Sequence, residues 1–299
     1  MAEWRHIPEA GTVLGIRLLV LLARACGRRI AGWFLYLVAL YYAIARGSVR
    51  RASRDYLRRV GQPATFGNVV RHLHTFAQVS LDRLFFFTGR WESFRFEQRN
   101  HDRLVQAAHT GRGVLLLGAH LGSFEVMRSR AREFGVPINA VADYSNAERV
   151  NRVARSLSPD VETRLISLAG DSFGAMLEIR AAIDRGELVA MLGDRPPSGQ
   201  PDARVVVVPF LGADAAFPAG PWLIAHALRC PVYFVAGVFT PPNHYALHFE
   251  PLADEVRLDR NDRAGSLARY VRVYAAMLEA HVRAAPMNWF NFDDFWGAP

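Results

Sequence analysis

The 299-residue sequence predicts an α/β fold, a mixed but mostly parallel sheet flanked by helices, set behind an amino-terminal helical segment of different character. Three observations predict it. Residues 1–60 hold two apolar runs edged by arginine, whereas residues 61–299 alternate short apolar runs with stretches of helical periodicity. The third is residues 113–118, GVLLLG, a continuous apolar run between glycines, as expected of a strand covered on both faces.

Composition bounds the rest. With 51% hydrophobic and 21% charged residues the chain can fill a substantial core, which excludes a disordered protein. Two cysteines, Cys26 and Cys230, are too few for a disulfide framework or a four-cysteine zinc site, and we expect no metal and no cofactor. The formal net charge is +8, and every residue counted as Lys+Arg is arginine. Arginine meets phosphate in a planar two-pronged geometry, so charge alone admits nucleic acid, anionic lipid and phosphorylated carriers.

The first unit spans residues 1–60. Its longest uncharged run, residues 30–45 (IAGWFLYLVALYYAIA), would form a helix about 24 Å long at about 1.5 Å per residue. A hydrocarbon core is about 30 Å thick, so the run is marginal as a span. Residues 13–26 are also apolar but carry Arg17 and Arg24, and no small-residue cleavage site follows as in a signal peptide. Both runs suit helices in a membrane interface, with Trp33, Tyr36, Tyr41 and Tyr42 at headgroup level. The arginine-dense residues 46–59 match the basic pattern that binds acidic lipid beside an apolar helix. Only Tyr56 interrupts them as an aromatic platform, which ranks a lipid surface above nucleic acid as partner.

Residues 61–299 form the second unit. Residues 68–87 place apolar side chains at helical intervals; His72 and His74 fall on different faces there and make no metal pair. Further strands are expected at 138–142, 188–192, 205–208 and 232–239, and helices at 147–157, 173–185, 220–228 and 263–283. The segment 195–202, RPPSGQPD, reads as an irregular loop. In such sheets functional groups gather at the carboxyl ends of strands.

That rule singles out His120 and Glu125. His120 follows the glycine-bounded strand, and Glu125 falls in the first turn of the next helix, so a tight turn can bring imidazole and carboxylate together. A carboxylate that accepts one ring N–H leaves the other nitrogen basic, which makes a general base. The helix start adds N–H groups that can support an oxyanion or phosphate.

Around this pair the chain resembles the lipid A biosynthesis acyltransferases of the late-acyltransferase type, relatives of glycerolipid acyltransferases that share a His-x4-Asp/Glu motif. The likeness rests on that motif and on three further blocks in order. These are Gly193-Asp194-Arg195 followed by Val208-Pro209-Phe210-Leu211-Gly212, then Ala216-Phe217-Pro218-Ala219-Gly220-Pro221, then Pro286-Met287-Asn288-Trp289-Phe290. Asn291, Asp293 and Asp294 stand where the family commonly has basic residues, which points to a divergent branch.

The resemblance implies acyl transfer from a thioester, on acyl carrier protein or coenzyme A, to a hydroxyl of a lipid or glycolipid at the cytoplasmic face of the bacterial inner membrane. His120 would be the base, with Glu125 or Asp194 orienting it. Arg195 and Arg164 would bind a phosphate or the oxyanion, and Phe210 and Pro218 would shape the acyl pocket. Two rivals stand beside this reading: a thioesterase, for which the sequence lacks a Gly-x-Ser-x-Gly elbow, and a non-catalytic lipid-binding protein.

Overall fold

The computed structural model describes residues 13–87, 89–129, 135–142, 164–167, 172–196 and 204–297. Its first helix, α1 (Val13–Ala45), joins both apolar runs and is broken at Gly27, whose φ of 81° lies outside helical space. Beyond the break, Ala31, Leu35, Ala39 and Ala43 recur every fourth residue and are buried where α1 meets α3 (Phe66–Phe87). The opposite face leaves Trp33 (82% exposed), Leu37, Tyr41 and Ile44 uncovered. At Arg46 the chain bends by 98° into α2 (Gly47–Arg59). Among the described residues no single helix is long and apolar enough to cross a membrane.

Several arginines in this region are structural. Arg28 forms two hydrogen bonds to the buried Asp82 of α3, at 2.6 and 2.7 Å, and its guanidinium lies over Phe94 and Phe239. Arg50 donates to the carbonyls of Ala43 and Ile44, which the end of α1 leaves without helical partners. Arg59 pairs with Asp55 and covers the ring of Trp296.

A seven-stranded sheet forms the centre. Its strands are β1 (Arg95–Arg99), β2 (Val114–Gly118), β3 (Ile138–Ala142), β4 (Arg164–Ser167), β5 (Leu188–Leu192), β8 (Val232–Thr240) and β9 (His244–Ala253), in the order β1-β9-β8-β2-β5-β3-β4. Every neighbouring pair is parallel except β8 with β9. The fully buried VLLL run of β2 sits between β5 and β8, with one hydrophobic core on each side of the sheet. The helices are α4 (His101–Ala108), α5 (Phe124–Ser129), α6 (Ser172–Asp184), α7 (Gly220–Leu228) and α8 (Arg263–Ala284).

The remaining strands, β6 (Val205–Phe210) and β7 (Ala213–Pro218), form a separate antiparallel hairpin. Its turn is Leu211-Gly212, both at positive φ (50° and 81°), the backbone that a two-residue hairpin turn with matching twist requires. Leucine seldom adopts that conformation, and here Glu279 of α8 holds it by accepting from the Leu211 N–H at 2.6 Å. The V-P-F-L-G block is therefore a hairpin tip clasped by a helix.

Strands β2, β3, β5, β6 and β8 and helices α3, α6, α7 and α8 lie where the sequence predicts them. Strands β1, β4, β7 and β9 do not announce themselves. β1 reads RFEQR and lies at the sheet edge, where polar side chains are tolerated, while β9, between β1 and β8, carries histidines and a glutamate on one face. The expected helix at 147–157 and most of the loop at 195–202 lie outside the described residues.

Candidate active site

Strand β2 ends at Gly118, and the chain leaves the sheet through Ala119 and His120 into a turn at Gly122, where φ is 64°. A Cβ on Gly122 would stand 1.9 Å from the Gly237 carbonyl oxygen, and one on Gly237 would strike Val126 and the Ser123 carbonyl. The two glycines let the turn lie directly on β8, where Ser123 donates its N–H to Gly237 O at 2.8 Å. Ser123 Oγ then accepts from Val126 N at 3.3 Å at the start of α5.

The carboxyl-terminal segment grips the same turn. Phe290 N donates to His120 O, Gly122 N donates to Asn288 O, and Leu121 bridges Trp289. Asn288 bonds both backbone groups of Phe239, fastening the segment to β8. Tyr274 of α8 donates to Gly118 O at 2.7 Å from below.

Strand β5 runs parallel beside β2, with Gly118 opposite Leu192. Two residues past that rung lie His120 and Asp194, which meet. Asp194 Oδ1 is 2.8 Å from His120 Nδ1, and Oδ2 accepts the His120 backbone N–H at 3.0 Å and the Trp289 indole N–H at 3.2 Å. Asp194 is fully buried while the His120 side chain is 32% exposed. Burial pushes the Asp194 carboxyl up, but the charge and hydrogen bonds of His120 and the charge of Arg195 outweigh it and hold the group well below the usual carboxylate range. An ionised carboxylate can only accept, so in the neutral ring Nδ1 is the nitrogen that carries the proton, with the lone pair on Nε2.

Arg195 Nε lies 3.2 Å from the same Nδ1. Since that nitrogen donates to Asp194, Arg195 stands there as a neighbouring cation and not as a donor to the ring. Its other nitrogens are anchored on Asp293 at 2.9 Å and on Phe290 O at 3.3 Å.

Glu125 faces elsewhere. Its Oε2 forms an ion pair with Arg83 Nε of α3 at 3.0 Å and accepts from Ser123 Oγ at 3.5 Å. The carboxylate on the imidazole is thus the one 74 residues downstream, and the motif glutamate helps fasten α5 to α3. Arg164 opens β4 in register with Asn139, and through it with Val189 and Leu115. That rung lies about 15 Å along the sheet from the carboxyl-end pair.

Phe210 is fully buried and packs on Trp289 at 5.4 Å, so it braces the residue that braces Asp194. Pro218, also buried, lies at the far end of the β6–β7 hairpin opposite Val205. The sequence reading gave no role to Arg83, Tyr274 or the Trp289 indole; each acts through a contact between segments far apart in the chain. His72 likewise is a core residue: Ser53 donates to its Nδ1 at 3.0 Å and its Nε2–H donates to Trp289 O at 2.9 Å.

Compared with known proteins, the chain matches the profile of the bacterial lipid A biosynthesis acyltransferases over residues 70–297. It belongs to that family. The match covers the His120 turn, Asp194 and the carboxyl-terminal segment together, and membership makes the protein an acyltransferase. No curated protein sequence matches the chain. In this lipid A biosynthesis acyltransferase, the imidazole at the end of β2, paired with a buried carboxylate, is the candidate reacting group.

Proposed function

We propose that this family member is a membrane-surface O-acyltransferase that carries an acyl chain from acyl carrier protein or coenzyme A to a hydroxyl of a lipid or glycolipid. His120 is its general base and Asp194 the orienting carboxylate. The observation that carries this reading is the 2.8 Å contact between His120 Nδ1 and Asp194, which leaves Nε2 free to accept a proton.

In the reaction Nε2 takes the acceptor hydroxyl proton as the oxygen attacks the thioester carbonyl. The C–O bond forms, the C–S bond breaks, and the imidazolium returns the proton to the departing thiolate. No acyl-enzyme is needed. Asp194 stays ionised and stabilises the imidazolium, and general-base assistance of this kind contributes roughly 10²–10⁴ in rate. Arg195, held by Asp293, supplies positive charge beside the ring for the developing oxyanion.

The exposed apolar face of α1, with Trp33, Leu37, Tyr41 and Ile44, supports seating at a bilayer interface, with the exposed Arg51 and Arg58 of α2 beside acidic headgroups. We place it at the cytoplasmic face of the bacterial inner membrane, where acyl thioesters are available.

The test is to incubate the purified protein with acyl-carrier-protein and acyl-coenzyme A pools plus bacterial lipid extract, and to identify acylated products by mass spectrometry. Wild type should yield an ester-linked product and His120→Ala should yield none. Transfer by His120→Ala at the wild-type rate would sink the mechanism. Free fatty acid, formed equally with and without lipid acceptor, would establish a thioesterase instead.

A further inference from the structure

We propose that His248, Glu250 and His281 form a binding site for a divalent transition metal of the zinc class, separate from the catalytic pair. His248 and Glu250 are two residues apart on β9 and so project from one face of the sheet, and His281 reaches them from α8. One ligand atom from each, a ring nitrogen or a carboxylate oxygen, lies within 4.8 Å of the other two.

The two separations measured to one glutamate oxygen bracket that of ligands sharing an ion. His281 Nε2 is 2.8 Å and His248 Nδ1 is 3.8 Å from the same oxygen, Glu250 Oε1. The first is a hydrogen bond. The second is too long for one, yet close to the separation of two ligands that each stand about 2 Å from a shared ion. The rings are 4.5 Å apart at 70°, and the His281 ring is stacked flat on Phe234, 5.1 Å away and tilted by 13°, which fixes its plane. Donors about 2 Å from a tetrahedral ion stand about 3.3 Å from one another, so zinc would open the first separation and close the second, with a fourth position left for water.

The electrostatics suit a cation. Glu250 supplies a negative charge. Arg99 stands opposite His248 on β1, but Glu97 neutralises it at 2.9 Å. Two imidazoles and one carboxylate select zinc, copper or nickel over magnesium or calcium. A bound ion would pin β9 to α8, the helix whose Tyr274 supports Gly118 beneath the catalytic turn.

The test uses the full chain without a histidine tag, stripped with chelator and titrated with zinc chloride by calorimetry. We expect one equivalent bound, a higher thermal midpoint, and with cobalt the visible absorption of a four-coordinate ion. His248→Ala should weaken zinc binding at least ~100-fold and Glu250→Gln about tenfold. Both should keep the wild-type circular dichroism spectrum, so that the loss reports the site even if His281→Ala fails to fold. The absence of saturable zinc binding by the wild type would overturn the proposal. So would zinc binding that persists unchanged in both variants.

Discussion

Asp194 grips His120 at two points, accepting from the ring Nδ1–H at 2.8 Å and from the backbone N–H at 3.0 Å. One carboxylate therefore sets both the position of the strand end and the tautomer of the ring. Asp194→Asn would present an amide N–H to Nδ1, turn the ring's proton to Nε2 and leave no base for the acceptor. We expect kcat to fall by roughly 10²–10⁴ with KM little changed. Glu125→Gln, which touches Arg83 and not the ring, should cost less in kcat and more in stability. Steady-state kinetics and thermal unfolding of the two variants separate the roles; a larger kcat loss for Glu125→Gln would reverse the assignment.

Trp289→Phe keeps the ring that packs against Tyr56, Phe210 and Phe295 but deletes the indole N–H on Asp194. A hydrogen bond to a charged group is worth about 1.5–3 kcal/mol, so kcat should drop by about tenfold or more. A variant with a lower thermal midpoint and unchanged kcat would show a packing role only.

Acid should destabilise the fold through His72. Burial lowers its pKa to about 4 against an ordinary 6.5, partly offset by its hydrogen bond to Trp289 O. The sign follows from proton counting. Between those values the unfolded chain binds the proton and the folded chain does not, so stability falls as pH drops from 6.5 toward 4 and levels off below. The full difference is about 3 kcal/mol at about 1.4 kcal/mol per unit. Denaturant titrations from pH 7 to 4 check it, and His72→Gln should flatten the slope in that window.

Arg28 is the fastener of α1. Its pair with Asp82 is nearly buried, and Tyr245 donates to the same carboxylate at 2.8 Å. Arg28→Ala would strand that carboxylate, at a cost of about 3–5 kcal/mol. Thermal unfolding should register the loss, and protease cleavage within residues 27–45 should accelerate. Arg28→Ala with a wild-type midpoint would mean that α1 is held by its alanine and leucine face alone.

The features the sequence revealed are those written in neighbouring residues. Continuous apolar runs marked β2, β5 and β8, periodicity marked α3 and α8, and the glycine-bounded strand end marked His120 as the candidate reacting group. Motif blocks also put Asp194 and the Trp289 segment into consideration. Strands β1 and β9 were not legible, because RFEQR and the histidine-bearing β9 gain their place from a neighbour's backbone and not from their own hydrophobicity.

The sequence by itself determined the α/β class and the family, and it put His120 forward as the candidate base. Only the tertiary structure decided which carboxylate meets its imidazole. Glu125 is near in sequence, but the turn at Gly122 and the first turn of α5 deliver it to Arg83. Asp194 is far away, yet parallel pairing of β2 with β5 sets the two strand ends side by side and the Trp289 segment closes over them. Spacing along a chain constrains direction only within a turn or two; beyond that, hydrogen-bonded register between strands determines which groups meet.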